Sequence, residues 1–201
     1  MKLYHCHNSR SLRPRWALEE MGLDYELETL PFPPRVFAKH YKEVNPLGTV
    51  PTLVDGDTVI TESAGACDYL GVKYGPTPLA VRPDEPDYGA YLNWLHRSDA
   101  TLTFPLTITF RYTALEPEER RLPQAAEDYR KWFLGRWRCV DDALADREYL
   151  CADRFTMADI AVGFSFLFSQ ILKVEEAATP NVNAWWERIS SRPAYQRAAA
   201  E

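Results

Sequence analysis

Near the start of the chain, "YHCHNSRSLRPRWALEE" (Tyr4 to Glu20) gathers His5, Cys6, His7, Ser9, Arg10 and Ser11 directly before a helical pattern. Those residue types open three chemistries. Imidazole and thiolate ligate metals, but in a strand His5 and His7 share one face and Cys6 takes the other. No further histidine–carboxylate spacing completes a tetrahedral set, so no metal is expected. A cysteine nucleophile needs a depressed thiol pKa, whereas Cys6, at the end of a short strand, reads as a small packed residue. The third chemistry is a serine at a helix N-terminus, where a hydroxyl, free backbone N–H groups and the helix dipole all favour a negative atom. Ser9 and Ser11 both qualify, and Ser11 is the better helix N-cap. Arg10 adds positive field if it turns inward. The histidines read most simply as exposed and silent.

Two later runs add to the picture. In "NPLGTVPTLVDG" (Asn45 to Gly56) a proline stands between Val50 and a β-branched strand, where it would ordinarily weaken the strand. The run is either a plain turn before a hairpin or a cis Val50–Pro51 bond that turns the Val50 N–H and C=O outward as an edge for a small peptide. In "TESAGACDYL" (Thr61 to Leu70) Ser63 opens a helix whose N-terminus attracts a carboxylate, and Glu62 beside it can take an ammonium. A plain serine cap is the simpler account. Together, acid and helix N-terminus match the zwitterionic head of an amino acid.

The elements that must position these groups change character along the chain. "KLYHC" and "YELETL" read as strands around a helix, "LRPRWALEEM", that stops at Gly22. A weaker helical stretch covers Arg35 to Lys42, and "TVPTLVDGDTVIT" is two strands joined at Asp55-Gly56. After the helix that opens at Ser63, the proline-rich "GPTPLAVRPDEP" reads as a linker. Beyond Asp87 only helical stripes remain, one through Tyr88, Tyr91, Leu92, Leu95 and Leu102, another through Leu122, Ala126, Phe133 and Val140. The expected fold is α/β followed by all-α: a small mixed sheet with flanking helices over residues 1–78, and a helical region over 86–201. Thr156 and Asp159, flanked by Phe155 and Ile160, form a capping box with a hydrophobic staple.

Composition narrows the function classes. The 201 residues are 46% hydrophobic and carry a net charge of -6, so a core is affordable and nucleic acid is a poor partner. Four scattered cysteines without a CxxC suit a reducing compartment. Without a leader-like apolar run or a membrane-length span, the expected location is the cytoplasm, with no membrane partner.

The order strand, serine-entered helix, "NPLGTVPTL", "ESAGACDYL", proline-rich linker and helices with "FTMADIAVG" resembles the cytosolic glutathione transferases, over essentially the whole chain. The pattern is similar to bacterial, serine-type members related to the beta and phi classes. The resemblance implies a thioredoxin-like N-terminal domain, an all-helical C-terminal domain with the second-substrate pocket, and a homodimer. It implies glutathione as cosubstrate with no other cofactor, and a thiolate that attacks a small electrophile. A glutathione-dependent disulfide or peroxide reductase, or a non-catalytic binding module, is the alternative. Residue by residue, Val50 would bridge the cysteinyl backbone of glutathione with Pro51 as the cis-proline, and Glu62 and Ser63 would hold its γ-glutamyl end. Thr49 stands where many relatives have glutamine, so one polar contact is shorter or missing. Lys39, with Arg35 and His40, is a candidate for the glycine carboxylate. Asp99, on an apolar helical stripe, would serve the γ-glutamyl ammonium of the other subunit. Against the beta-class pattern, His5 takes the tyrosine position and Arg10 the cysteine position. Against the phi-class pattern, Ser9 takes the serine position with Arg13 four residues on, so Ser9 is favoured over Ser11 as thiolate partner. His7, Thr101, Phe104 and Tyr112 are the expected lining of the electrophile pocket.

Overall fold

A computed structural model describes residues 1–200. It divides into two compact units, one comprising Met1–Ala80 together with the chain from Ser190 onward, the other Val81–Ile189.

The first unit is built on a mixed sheet of β1 (Lys2–His5), β2 (Glu26–Thr29), β3 (Thr52–Asp55) and β4 (Thr58–Ile60), in the order β2-β1-β3-β4. β1 runs parallel to β2 and antiparallel to β3, with Tyr4 opposite Thr52, and β3 runs antiparallel to β4. Gly56 at φ 58° makes the tight β3–β4 turn, a conformation that costs glycine nothing. The helix α1 (Leu12–Met21) packs its buried Leu12, Trp16, Ala17 and Leu18 inward and ends at Gly22 in the left-handed conformation.

The helical stretch expected over Arg35 to Lys42 is broken. A single turn, α2 (Pro34–Phe37), gives way at Ala38 (φ -128°, ψ 65°) to a tighter 3-10 turn over Lys39–Glu43. A non-helical residue between two short turns ends each ladder before it can propagate. Then α3 (Ser63–Lys73) completes the first half. The end of the chain returns here: α9 (Pro193–Ala199) lies against α1, with the Trp16 and Tyr195 rings 4.7 Å apart. Arg192 is paired with Glu20 and Arg197 with Glu19, and Arg15 donates to the carbonyls of Ala200 and Arg197. A helical region running from residue 86 to the end therefore loses its last helix to the first unit.

In the second unit α4 (Tyr88–Arg97) opens into a wide π-helical turn, Ser98–Thr103, before α5 (Phe104–Phe110), and a second π turn, Arg111–Leu115, follows. The stripe expected to run unbroken to Leu102 is thus interrupted, although Tyr91, Leu95 and Leu102 are buried as its pattern demands. Along α6 (Pro123–Ala143) Ala126, Phe133 and Val140 are buried with Trp137, whereas Leu122 precedes the helix and is 51% exposed. α7 (Met157–Ile171) is the buried centre, and α8 (Pro180–Ser190) packs Trp185 into the core. The capping box is present: Thr156 accepts from the Ala158 N–H at 3.2 Å, and Asp159 Oδ2 accepts from the Thr156 N–H at 2.9 Å. Asp159 does more than cap, because its other oxygen accepts from Trp185 Nε1 at 2.9 Å and the Leu150 N–H at 3.1 Å. Among the described residues no helix is long and apolar enough to cross a membrane.

Candidate active site

Strand direction brings the chemistry together. Because β1 and β3 are antiparallel, the end of β1 lies beside the start of β3, and β4, antiparallel to β3, ends on the same side. The segments that leave or enter there are the loop from Cys6 to Ser11, the approach Asn45–Pro51, and Glu62–Ser63 at the start of α3. Val50 packs against the buried cluster of Cys6, Leu30, Ala38 and Tyr41.

The loop after β1 is held by its own hydroxyls. Asn8 takes a positive φ of 55°, turning the chain back so that both serines face the strand end. Ser11 Oγ accepts from the Cys6 N–H at 3.1 Å and lies 2.7 Å from both Ser9 Oγ and His5 Nδ1. Ser9 Oγ donates to the Cys6 carbonyl at 2.8 Å and accepts from the Ser11 N–H at 3.3 Å. Ser11 stands at the N-cap position, yet its backbone is already helical (φ -66°, ψ -12°) and its side chain makes no cap bond. The hydroxyl is committed to the strand end instead, so the expectation of a capping Ser11 is corrected. Ser11 is 0% exposed and Ser9 8%.

The histidines part company. The strand ends at His5, so His5 and His7 do not share a strand face: His5 is buried and His7 exposed in the turn. Burial, aided by the positive charges of Arg15 and His7, pushes the His5 imidazole down to about 4, so it is neutral at physiological pH. Burial also pushes the Cys6 thiol up to about 11, the opposite of what a nucleophile needs. Arg10 is half-buried. Among the described residues no group of three or more His, Cys, Asp or Glu is arranged to hold a metal ion.

The approach to Val50 is braced from beneath. Asn45 Nδ2 donates to the Thr49 carbonyl at 2.8 Å, and Tyr41 OH donates to the same carbonyl at 2.7 Å. Asn45 Oδ1 accepts from the Leu47 N–H at 3.1 Å, closing an Asx-type turn. Gly48 has φ 60°, and a Cβ there would stand 2.7 Å from Arg35 Cβ. The Val50–Pro51 peptide is cis, as are Phe32–Pro33 and Gly75–Pro76. Thr49 is exposed, Val50 half-buried and Pro51 buried. Lys39, Arg35 and His40 are all exposed, with Arg35 the one whose backbone packs against Gly48.

At the head of α3, Glu62 occupies the N-cap position and is exposed, while Ser63 is the first helical residue and 2% exposed. The Ser63 hydroxyl accepts from Arg13 Nη1 at 2.8 Å, tying α3 to α1. Arg13 is fully buried.

The remaining expected residues lie in the second unit, apart from His7. Asp99 and Thr101 sit in the first π turn, both half-buried. Phe104 is 45% exposed at the head of α5, its ring edge-on to Tyr129 at 6.1 Å. Tyr112, in the second π turn, is half-buried beside the Arg111 guanidinium.

Sequence reasoning missed the bracing residues: His5 behind Ser11, Arg13 behind Ser63, and Tyr41 with Asn45 beneath Thr49. Asn45 alone carried a local signal, as an Asn–Pro turn opener.

Two family models match the chain: "Glutathione S-transferase, N-terminal domain" over residues 8–73 and "Glutathione S-transferase, C-terminal domain" over residues 112–193. Glutathione S-transferase F9 of Arabidopsis thaliana is 30% identical over 216 residues, which is 100% of this chain and 97% of that relative. A ternary complex of BphK, a bacterial GST, is 26% identical with a TM-score of 0.88, covering 99% of this chain and 98% of that one. Ure2p5 of Phanerochaete chrysosporium, cocrystallized with 1-(S-glutathionyl)-2,4-dinitrobenzene, is 25% identical with a TM-score of 0.83, covering 98% and 91%.

Proposed function

The chain belongs to the glutathione S-transferase family, and on that premise we propose that it is a transferase in which Ser9 holds the glutathione sulfur as thiolate for attack on a small electrophile. The observation that carries this is the contrast within the loop: Ser11 is enclosed at 0% exposure and its hydroxyl is bonded to the strand end, while Ser9, at 8%, is the more exposed residue of the two.

A free thiol of pKa ~8.5 is only a few per cent thiolate at neutral pH, and the thiolate is the nucleophile. Ser9 donates a hydrogen bond to the sulfur without itself attacking. The sulfur lone pair forms a bond to an electrophilic carbon, the leaving group departs with its electron pair, and the thiol proton has already passed to solvent. Val50 N–H and C=O pair with the cysteinyl backbone, Ser63 and the α3 N-terminus take the γ-glutamyl carboxylate, and Glu62 takes its ammonium. Lys39 or Arg35 takes the glycine carboxylate. Glutathione is cosubstrate, with no resident cofactor invoked.

A buried Cys6 with a raised thiol pKa gives no support to the disulfide-reductase alternative. The same reading takes the protein as a cytoplasmic homodimer in which Asp99 serves the partner's glutathione; Asp99→Asn should weaken glutathione binding in a folded dimer, and unchanged affinity would remove that role.

A hydrogen bond to a charged acceptor contributes ~1.5–3 kcal/mol, which corresponds to a bound-thiol pKa lower by ~1–2. Ser9→Ala should therefore cut turnover about tenfold at neutral pH, leave glutathione affinity nearly intact, and lose its deficit as pH passes the free thiol's pKa. Thiolate absorbance against pH with bound glutathione, alongside kcat and KM, reads this out. An unchanged thiol pKa in Ser9→Ala would return the role to another group.

A further inference from the structure

We propose that Ser11 and His5 are positioning residues: through the bonds His5 Nδ1–Ser11 Oγ–Ser9 Oγ they hold Ser9 as an acceptor on its inner side, so that its single hydrogen points to the bound sulfur. This rests on Ser9 being the thiolate partner.

A serine hydroxyl has one hydrogen and two lone pairs. One lone pair of Ser11 Oγ is taken by the Cys6 N–H at 3.1 Å. Its second lone pair and its hydrogen are then shared among His5 Nδ1 and Ser9 Oγ, each 2.7 Å away, and the Cys6 carbonyl, a longer acceptor at 3.3 Å. If His5 carries its proton on Nε2, Nδ1 accepts and Ser11 must donate to it. Ser11 then turns a lone pair toward Ser9, so Ser9 can satisfy that contact only by donating inward. Swinging the Ser9 hydrogen out to a sulfur would leave two oxygen lone pairs facing each other at 2.7 Å.

If His5 carries its proton on Nδ1, the order reverses. Nδ1–H donates to Ser11, both Ser11 lone pairs are used, and the Ser11 hydrogen goes to Ser9 at 2.7 Å, a much nearer acceptor than the Cys6 carbonyl at 3.3 Å. Ser9 then accepts from the Ser11 hydroxyl and, at 3.3 Å, from the Ser11 N–H. Both of its lone pairs are filled and its hydrogen is the one group left over. Without a ligand that hydrogen rests on the Cys6 carbonyl at 2.8 Å, and it turns to the sulfur when glutathione enters. Only the Nδ1–H tautomer lets Ser9 donate to a thiolate without a cost inside the loop.

The surroundings suit a neutral relay. Ser11 is fully enclosed and His5 is 3% exposed, so water does not compete for these bonds. The positive charges acting on His5 are Arg15 and His7, and burial with those charges keeps the imidazole uncharged above about pH 4.

Nitrogen NMR of the His5 ring reports the tautomer directly in the folded wild-type protein. The expected result is Nδ1–H in the glutathione complex, and Nε2–H there overturns the proposal. The variants separate positioning from folding. His5→Leu should raise the bound-thiol pKa by about one pH unit and lower kcat roughly tenfold at neutral pH, with KM for glutathione unchanged. His5→Asn, whose side-chain amide keeps an N–H near the Nδ1 position, should recover most of the loss. A folded His5→Leu with wild-type thiol pKa, or His5→Asn as impaired as His5→Leu, overturns the relay. If Ser9→Ala raises the thiol pKa and His5→Leu does not, only the relay fails. If Ser9→Ala itself is silent, the reading beneath it has failed.

Discussion

Two buried titratable side chains pull the acid stability of the protein in opposite directions. His5 in the folded chain binds its proton less tightly than in the unfolded chain, about 4 against 6.5, because burial disfavours the cation. Its contribution is complete above 6.5 and is lost as pH falls toward 4, a change of about 3 kcal/mol by linkage. Asp159 is raised by burial to about 6 from 3.8, against the bonds it accepts from Trp185, Thr156 and Leu150. The folded form holds that proton more tightly, so its contribution is present below 3.8 and is lost as pH rises through 6. The two offset each other over the same window. Between pH 4 and 6.5, His5→Asn should lose the rising component, so that its unfolding midpoint falls relative to wild type as pH increases; parallel curves would contradict this account. Arg13 bears on binding in a comparable way. A guanidinium only donates, so Ser63 accepts from it, and the bond holds the Ser63 hydroxyl at the head of α3, where the proposed γ-glutamyl carboxylate would sit. Arg13→Lys should therefore raise the glutathione Kd about tenfold, at ~1.4 kcal/mol per decade, with the bound-thiol pKa unmoved. A change in thiol pKa with unaltered affinity would place Arg13 elsewhere in the mechanism.

Among the elements, the approach Asn45–Pro51 sets the position of Val50 more than the strand that follows it. Gly48 allows that approach twice over, through its φ of 60° and through the absent Cβ that would meet Arg35 Cβ at 2.7 Å. Gly48→Ala should cost about 1–3 kcal/mol of stability from the strained conformation alone, and should weaken glutathione binding because Thr49 and Val50 move with it. Thermal unfolding with and without glutathione tests both, and a stable variant of normal affinity would show that the turn can yield. Such features divide what the sequence could tell from what it could not. The start of α3 at Ser63, the Asp55-Gly56 turn and the Thr156–Asp159 box were legible because each is a local device: a serine entering a helix, a turn dipeptide, a reciprocal spacing of three. The Arg13–Ser63 bond spans 50 positions and the Tyr41–Thr52 contact 11, and such pairs exist only after the sheet has aligned its ends. The π turns were equally hidden. A run such as "SDATLT" carries no glycine or proline to mark a break; in the folded chain Thr103 Oγ1 donates to the Ser98 carbonyl across the turn and meets Ser165 Oγ at 2.9 Å.

At the scale of the whole molecule, chain order and spatial order disagree. The chain leaves the first unit after Ala80 and comes back at Ser190. Its last helix then covers α1 through Trp16–Tyr195 and the pairs of Arg192 and Arg197. Ending the chain before Pro193 should expose Trp16 and lower the stability of the first unit by several kcal/mol, about the cost of uncovering one large aromatic and its neighbours. Retention on immobilised glutathione should fall while the helical signal of the second unit persists; full retention by the shortened chain would deny α9 that role. The helical expectation for this segment was right and its allegiance was not, since "PAYQRAAA" reads as an amphipathic helix without saying which surface it covers. That allegiance has a consequence for biosynthesis. A ribosome delivers the sheet first, but the segment that seals it emerges only after the intervening helices, roughly 5–20 s later at ordinary elongation rates. During that interval the nascent sheet domain stands open at α1, so on stalled nascent chains its protease resistance should appear only once α9 has cleared the ribosome, although its sheet and α1 are made first.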